Sequence, residues 1–263
     1  MGDFFISTPE LMKRIGTADM PMLVDTRRRE AYDAADRVLP AALWRDHREV
    51  AEWAPDAGTE VVVYCAHGHN VSQAAATQLR ARGVPARVLA GGIADWLAAG
   101  GPTILKAPRA HRWVTRMLPK IDRVACPWFI RRFVDPTAAF LFVEGDWVAD
   151  VAREFDAVPF DIVGADFSHD GELCSFDAFL DRFGIDDPAL HDRALIIRGA
   201  DTGRLDLAPE AAGLLAVSLG ISANSDGDDE AALRHGFAVY DALYAWRRHA
   251  AQETHGWPPA AAA

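Results

Sequence analysis

Short apolar runs and helical stripes alternate through the first hundred residues. Met22–Asp25 and Val61–Cys65 are β-branched-rich runs with the length of buried strands, and Ala86–Leu89 is a third. Thr8 caps a first helix with Pro9 at its opening position, Ser7-x-x-Glu10 also fits a capping box, and Gly16 stops it. Ser72–Arg82 is rich in Ala, Gln and Leu and is closed by Gly83, and Ile93–Ala99 is a further short helix. Strands alternating with helices at this spacing predict a parallel sheet covered on both faces.

The pattern changes from Trp113 onwards. Pro127 stands where a first helical turn would place it, with Cys126 just before it at an N-cap or first-turn position. Trp128, Phe129 and Phe133 then share an apolar face. Ala138–Val143 and Phe160–Val163 read as strands and Trp147–Phe155 as a helix. Helices are predicted over Phe176–Phe183, Pro209–Leu219 and Glu230–His249, with Leu233, Phe237, Tyr240 and Tyr244 forming a core-facing stripe. SHDGELCS reads as a hairpin or loop, and SANSDGDDE (222–230) as a loop before the last helix. The second half is therefore mainly α-helical with a few short strands. Gly100, Gly101, Pro102 and Pro108 mark a linker near 101–111 between a first domain (1–105) and a second (112–249), and 250–263 reads as a flexible tail.

Composition narrows the function. The chain has 263 residues, half of them hydrophobic and a quarter charged, as expected of a folded protein. No apolar stretch approaches the ~18 residues of a membrane span, and the N-terminus lacks a signal-peptide pattern. Three widely spaced cysteines suit reduced thiols and a cytoplasmic location better than a disulfide framework. The net charge of −11 argues against nucleic-acid partners, and no helix-turn-helix segment stands out. The charge is uneven. Lys106, Arg109, Arg112, Arg116, Lys120, Arg123, Arg131 and Arg132 form a basic belt interrupted by Asp122 alone, followed by a strongly acidic remainder. Such a belt either concentrates small anions or is a solvated surface paired with acidic neighbours.

The strongest chemical signal is VVVYCAHGHNVSQ. A buried strand ends at Cys65, a short loop carries Gly68, and a helix begins near Ser72. Ligands of open α/β sheets sit beyond the carboxyl ends of strands, and a helix N-terminus favours thiolate over thiol. Together with VDTRRREAY and LAGGIADWLAAGGP, including Gly91, Gly92 and Trp96, this stretch resembles the rhodanese-like family over about residues 5–102. The resemblance implies a parallel sheet flanked by helices and a sulfurtransferase in which Cys65 takes sulfur from a small donor. The sulfur is held as a persulfide and passed to a thiol or cyanide, with no cofactor required. It implies an active-site loop of Ala66, His67, Gly68, His69, Asn70 and Val71, supported by Asp25 and Arg27. Asn70 stands where many active members have Arg, so His67 and His69 are left to supply charge or are merely polar, and thiosulfate is expected to be a poor donor. Phosphatases of this fold need an Arg six positions after the cysteine, and Val71 stands there.

PKIDRVACPWFIRRFVDP, FSHDGELCSFDAFL, RGADTGRLDLAPEAAGLLAVSLG and VYDALYAW resemble the C-terminal domain of ChrB-type chromate-resistance proteins over about residues 112–249. The resemblance implies a role in the response to chromate. Arg116, Lys120, Arg123, Arg131 and Arg132 are candidate oxyanion-binding residues for a tetrahedral dianion such as chromate. Cys126, His169 and Cys174 are a candidate set for a metal ion, with Asp122, Asp166 or Asp201 as a hard ligand; a redox thiol site and purely structural cysteines are the other readings. The whole is expected to be either a sulfurtransferase serving chromate tolerance or a non-catalytic chromate sensor with a docking rhodanese module.

Overall fold

A computed structural model describes residues 4–106 and 110–253. In chain order the first half forms β1 (Phe5–Ile6), α1 (Thr8–Arg14), β2 (Met22–Asp25), α2 (Arg29–Asp33), β3 (Arg37–Val38), β4 (Leu43–Trp44), α3 (Val50–Trp53), β5 (Val61–Tyr64), α4 (Asn70–Ala81), β6 (Ala86–Leu89), α5 (Gly92–Ala98) and β7 (Ile104–Leu105). Five strands make one sheet in the order β1-β6-β5-β2-β4, and every neighbouring pair is parallel. β5 lies at the centre and is buried along its whole length, which explains its unbroken apolar sequence. Val61 and Val63 point to α4 and pack with Ala75, Ala76 and Leu79, whereas Val62 and Tyr64 join the core on the opposite face. The expected two-faced parallel sheet is the observed one.

The second half forms β8 (Arg112–Arg116), α6 (Asp122–Phe129), β9 (Ala139–Val143), α7 (Val148–Glu154), β10 (Val158–Pro159), α8 (Ser175–Phe183), α9 (Pro188–Asp201), α10 (Ala211–Ser225) and α11 (Asp229–His249). β10, β8 and β9 pair in parallel, with β8 in the middle. α6 continues into a π-helical turn over Ile130–Val134. Trp128, Phe129, Phe133, Phe176, Phe179, Tyr240 and Tyr244 fill the helical core. That core is continuous with the first half through Leu11 of α1 and Ile15 just after it. Hydrogen bonds cross the same seam from Ala41 N–H to the Phe133 carbonyl, from Arg37 to the Gly184 carbonyl and from Arg248 to the Met12 carbonyl. Gly16 shows how close the halves come: a Cβ there would stand 2.4 Å from the Phe133 ring.

Several local expectations are corrected. Ser7, not Thr8, is the N-cap of α1, its hydroxyl accepting the Glu10 N–H. Pro127 lies inside α6, and Cys126 is its fifth residue rather than its cap. Phe160–Val163 is not a strand, because Asp161 at φ 53° turns the chain immediately after β10. The segment 222–230 is mostly helical: α10 runs to Ser225, and Asp226 at φ 44° and the Asp228 N-cap of α11 make a tight corner. β8 and α9 were not anticipated. Of the expected linker, 107–109 lies outside the described residues, as does the expected tail from 254 onwards.

Candidate functional site

Cys65 follows β5 at the carboxyl end of the sheet and is 6% exposed. Its Sγ lies 3.3 Å from the His69 carbonyl oxygen, toward which the thiol donates, and 3.2 Å from Ser72 Oγ. His69 is the N-cap residue of α4 and Ser72 belongs to its first turn, so the sulfur sits against the positive end of a twelve-residue helix. Gly68 at φ 71° lets the loop bend back, where a Cβ would stand 2.6 Å from the Leu89 carbonyl oxygen. The start of α5 clamps the same loop, with Ile93 N–H donating to the Cys65 carbonyl and Ala94 N–H to the Ala66 carbonyl. Gly92, the first residue of α5, leaves room for this approach, and Gly91 before it leaves room for the Asp95 side chain.

An open cavity of about 390 Å³ meets the sulfur, lined by Arg27, Arg28, Ala31, Cys65, Ala66, His67, His69, Asn70 and Val71. Arg27 is fixed in that wall by fully buried Asp25. Its guanidinium donates to both carboxylate oxygens at 2.6–3.0 Å, and its backbone N–H donates to Oδ1 at 3.0 Å. Trp44 Nε1 donates to the Arg27 carbonyl at 2.9 Å. Asn70 takes the left-handed φ of 33°, which asparagine tolerates better than most residues.

A second cluster lies where β8, α6 and α9 meet the turn after β10. His169 Nε2 stands 3.3 Å from Asp122 Oδ2, 3.5 Å from Asp161 Oδ1 and 3.2 Å from Asp201 Oδ2. One ligand atom from each of Asp122, His169 and Asp201 can lie within 4.8 Å of the other two. Asp161 is also bound by Arg116 at 2.7 Å, Arg123 at 3.1 Å and the Ser175 hydroxyl at 3.1 Å. Contact with Asp122, reinforced by Asp201 and Asp161, pushes His169 up to about 9. Burial, then the Asp122 charge, pushes Asp201 up to about 8.

A rhodanese-like domain model matches residues 7–99, and the model described as "ChrB, C-terminal domain" matches residues 113–247, about half of the chain. The chain belongs to the ChrB C-terminal domain family. Protein ChrB of Cupriavidus metallidurans is 40% identical over 138 residues, which are 52% of this chain. The match spans 40% of that relative's length. A rhodanese-related protein from Thermoplasma volcanium is 23% identical, covering 39% of this chain and 99% of that one with a TM-score of 0.34. A thiosulfate sulfurtransferase from Pseudomonas aeruginosa is 26% identical, covering 38% of this chain and 19% of that one with a TM-score of 0.31.

Within the ChrB domain the structure redistributes the residues singled out in the sequence. The five cations do not converge. Arg116 and Arg123 meet at Asp161, whereas Arg132 is bidentate on Asp241 and Arg131 donates to the Ala138 carbonyl while stacking on Phe140. Arg116 ends β8, Lys120 precedes α6, Arg123 is in its first turn, and Arg131 and Arg132 lie in the π-helical turn that follows, so the five are carried in different directions. Lys120 lies just before the N-terminus of α6 and lines a small crevice with Val124 and Tyr240. Asp166 is exposed and faces Arg182.

Cys126 and Cys174 are fully buried free thiols. Burial pushes both up, and the charge of Asp122 adds to the rise for Cys126. Cys174 is the N-cap of α8, its Sγ 3.4 Å from Asp177 Oδ2. The expected Cys126, His169 and Cys174 set is therefore replaced around His169 by carboxylates. Asp122 and Asp201, two of the three hard ligands that the sequence offers, are among them. The sequence does not single out Asp161, because nothing in its neighbourhood distinguishes it from other acidic residues. Among the described residues no helix is long and apolar enough to cross a membrane.

Proposed function

We propose that the rhodanese-like domain carries sulfur as a persulfide on Cys65, and that the protein serves the response to chromate. The observation that carries this reading is the position of Cys65 Sγ, beyond the end of β5 and against the first turn of α4, facing a cavity walled by Arg27 and Arg28. A negatively charged sulfur there, thiolate or persulfide, meets a helix N-terminus and the Ser72 hydroxyl, beside a cavity wall to which Arg27 and Arg28 contribute. The chromate context is supported by the ChrB domain match.

The thiolate attacks the sulfane sulfur of a donor such as thiosulfate. The donor's S–S bond breaks, sulfite leaves with the bonding electron pair, and Cys65 retains the terminal sulfur as a persulfide anion. A thiolate or cyanide then attacks that terminal sulfur. The second S–S bond breaks and the Cys65 thiolate returns. Each bond formed at sulfur replaces one broken, so the cycle needs no external oxidant, reductant or cofactor. Asn70 offers an amide where a guanidinium would grip an anionic donor, which favours a persulfidic thiol over thiosulfate.

The test is cyanide-labile sulfur on purified protein after incubation with thiosulfate, polysulfide or glutathione persulfide. Labile sulfur present in the wild type and absent from Cys65→Ser supports the reading. Its absence with every donor leaves a non-catalytic docking module and overturns it.

A further inference from the structure

We infer that Asp122, His169 and Asp201 of the ChrB domain form a binding site for a divalent transition-metal cation, with Asp161, held by Arg116 and Arg123, beside it. The three ligand atoms come from three separate segments, the start of α6, the loop before α8 and the end of α9, and still lie within 4.8 Å of one another. The second, independent observation is Asp122 itself. Its side chain is 3% exposed, and its Oδ2 has no hydrogen-bond partner among the described residues. That oxygen points at His169 Nε2 across 3.3 Å, close enough for attraction but without hydrogen-bond alignment.

Leaving a carboxylate oxygen buried and unpaired is costly. A single imidazole N–H cannot serve three carboxylates at 3.2–3.5 Å at once. Asp161 is already provided for by Arg116, Arg123 and Ser175. Asp122 and Asp201 instead both face the one Nε2 of His169, at 3.3 and 3.2 Å, an arrangement in which a divalent cation would bind both carboxylates and the imidazole directly.

The donor set chooses the class of ion. Two carboxylate oxygens with one imidazole nitrogen suit manganese(II), iron(II) or zinc, and are softer than the all-oxygen shells of calcium and magnesium. The thiols stay out, since Cys174 turns its sulfur to Asp177. Three protein ligands leave coordination positions open, and His169 is 41% exposed, so the ion would reach solvent on that side. This inference concerns the ChrB domain and is independent of sulfur chemistry at Cys65.

Chelator-treated full-length protein titrated with Zn²⁺ in a calorimeter, and with Co²⁺ under visible absorption, tests it. One ion per chain is expected. Cobalt d–d bands should appear without a thiolate-to-cobalt charge-transfer band, and Zn²⁺ should raise the melting temperature in a concentration-dependent way. Asp122→Asn and Asp201→Asn should each weaken Zn²⁺ binding by at least about tenfold, while Cys174→Ala leaves it unchanged. Asp201 is the more accessible of the two aspartates, so its variant decides the matter if Asp122→Asn does not fold. No stoichiometric uptake by the wild type, undiminished uptake by Asp201→Asn, or a thiolate charge-transfer band would overturn the assignment.

Discussion

Gly92 rests directly on the backbone of Cys65: a Cβ built at Gly92 would stand 2.3 Å from the Cys65 carbonyl oxygen and 2.6 Å from Gly68 N. The φ of 61° adds strain for any other residue. Gly92→Ala must therefore displace either α5 or the loop that holds the thiol. We expect it to lower stability by about 1–3 kcal/mol and to reduce sulfur loading at Cys65. Gly58→Ala, where nothing lies within 4 Å of the added methyl group, should change stability by less than about 0.5 kcal/mol. Urea denaturation and a cyanide-lability assay on both variants check the pair.

The three cysteines should separate cleanly by reactivity. Cys65 faces an open cavity, whereas Cys126 and Cys174 are 0% exposed and burial raises both thiols. Thiolate is the reacting species, so native protein should alkylate at Cys65 at least about tenfold faster than at either other site. Peptide mass mapping after brief iodoacetamide treatment reads this, and labelling of all three at similar rates in unfolded protein is the control.

Arg193 is fully buried and its three guanidinium nitrogens have no hydrogen-bond partner among the described residues. It lies 4.1 Å above the Trp128 ring and 5.3 Å from that of Tyr244, and burial brings it down to about 10. Cation–π contact offsets the desolvation by about 2 kcal/mol, less than the cost of burying the charge. Arg193→Met should therefore raise stability, by about 1–2 kcal/mol. Arg193→Lys, a compact and more strongly hydrated cation, should lower it. Thermal denaturation of the two variants decides the sign.

Glu60 bridges Arg14 and Arg87, and the hydrogen bond from Arg14 brings its carboxyl down to about 2 from the ordinary 4.5. A carboxylate with a lowered folded-state value stabilises fully above its unfolded value and loses that contribution as the pH falls through the folded one. The stability gap between wild type and Glu60→Gln should thus be constant above about pH 5.5 and shrink from about pH 4.5 toward about pH 2. Its size is modest, since the pair is partly exposed. Urea midpoints across that range measure it.

The first half was legible because local rules and tertiary demands coincide there. Met22–Asp25 and Ala86–Leu89 are strands at the expected residues, since parallel strands covered on both faces read as short, mostly apolar runs. Cys65 was legible as the residue after such a strand. The second half was harder. α9 carries apolar residues on most sides with buried Arg193 among them, so no clean stripe marks it, although Asp187-Pro188 is a sound N-cap signal in hindsight. Pro127 suggested a helix start, but α6 opens a turn earlier and accommodates the missing N–H before its π-helical turn. The carboxylates around His169 come from distant segments, and a positive φ at Asp161 ends β10 and turns that residue into the cluster. Spacing in the sequence carries no trace of such convergence.

The central claim is that Cys65 carries a transferable sulfur atom. Mass spectrometry of the full-length protein after incubation with a sulfane-sulfur donor tests it most directly. A gain of one sulfur atom is expected, mapped to the peptide containing Cys65 and removed by cyanide. No gain with any donor, or a gain mapped to Cys126 or Cys174, would contradict it.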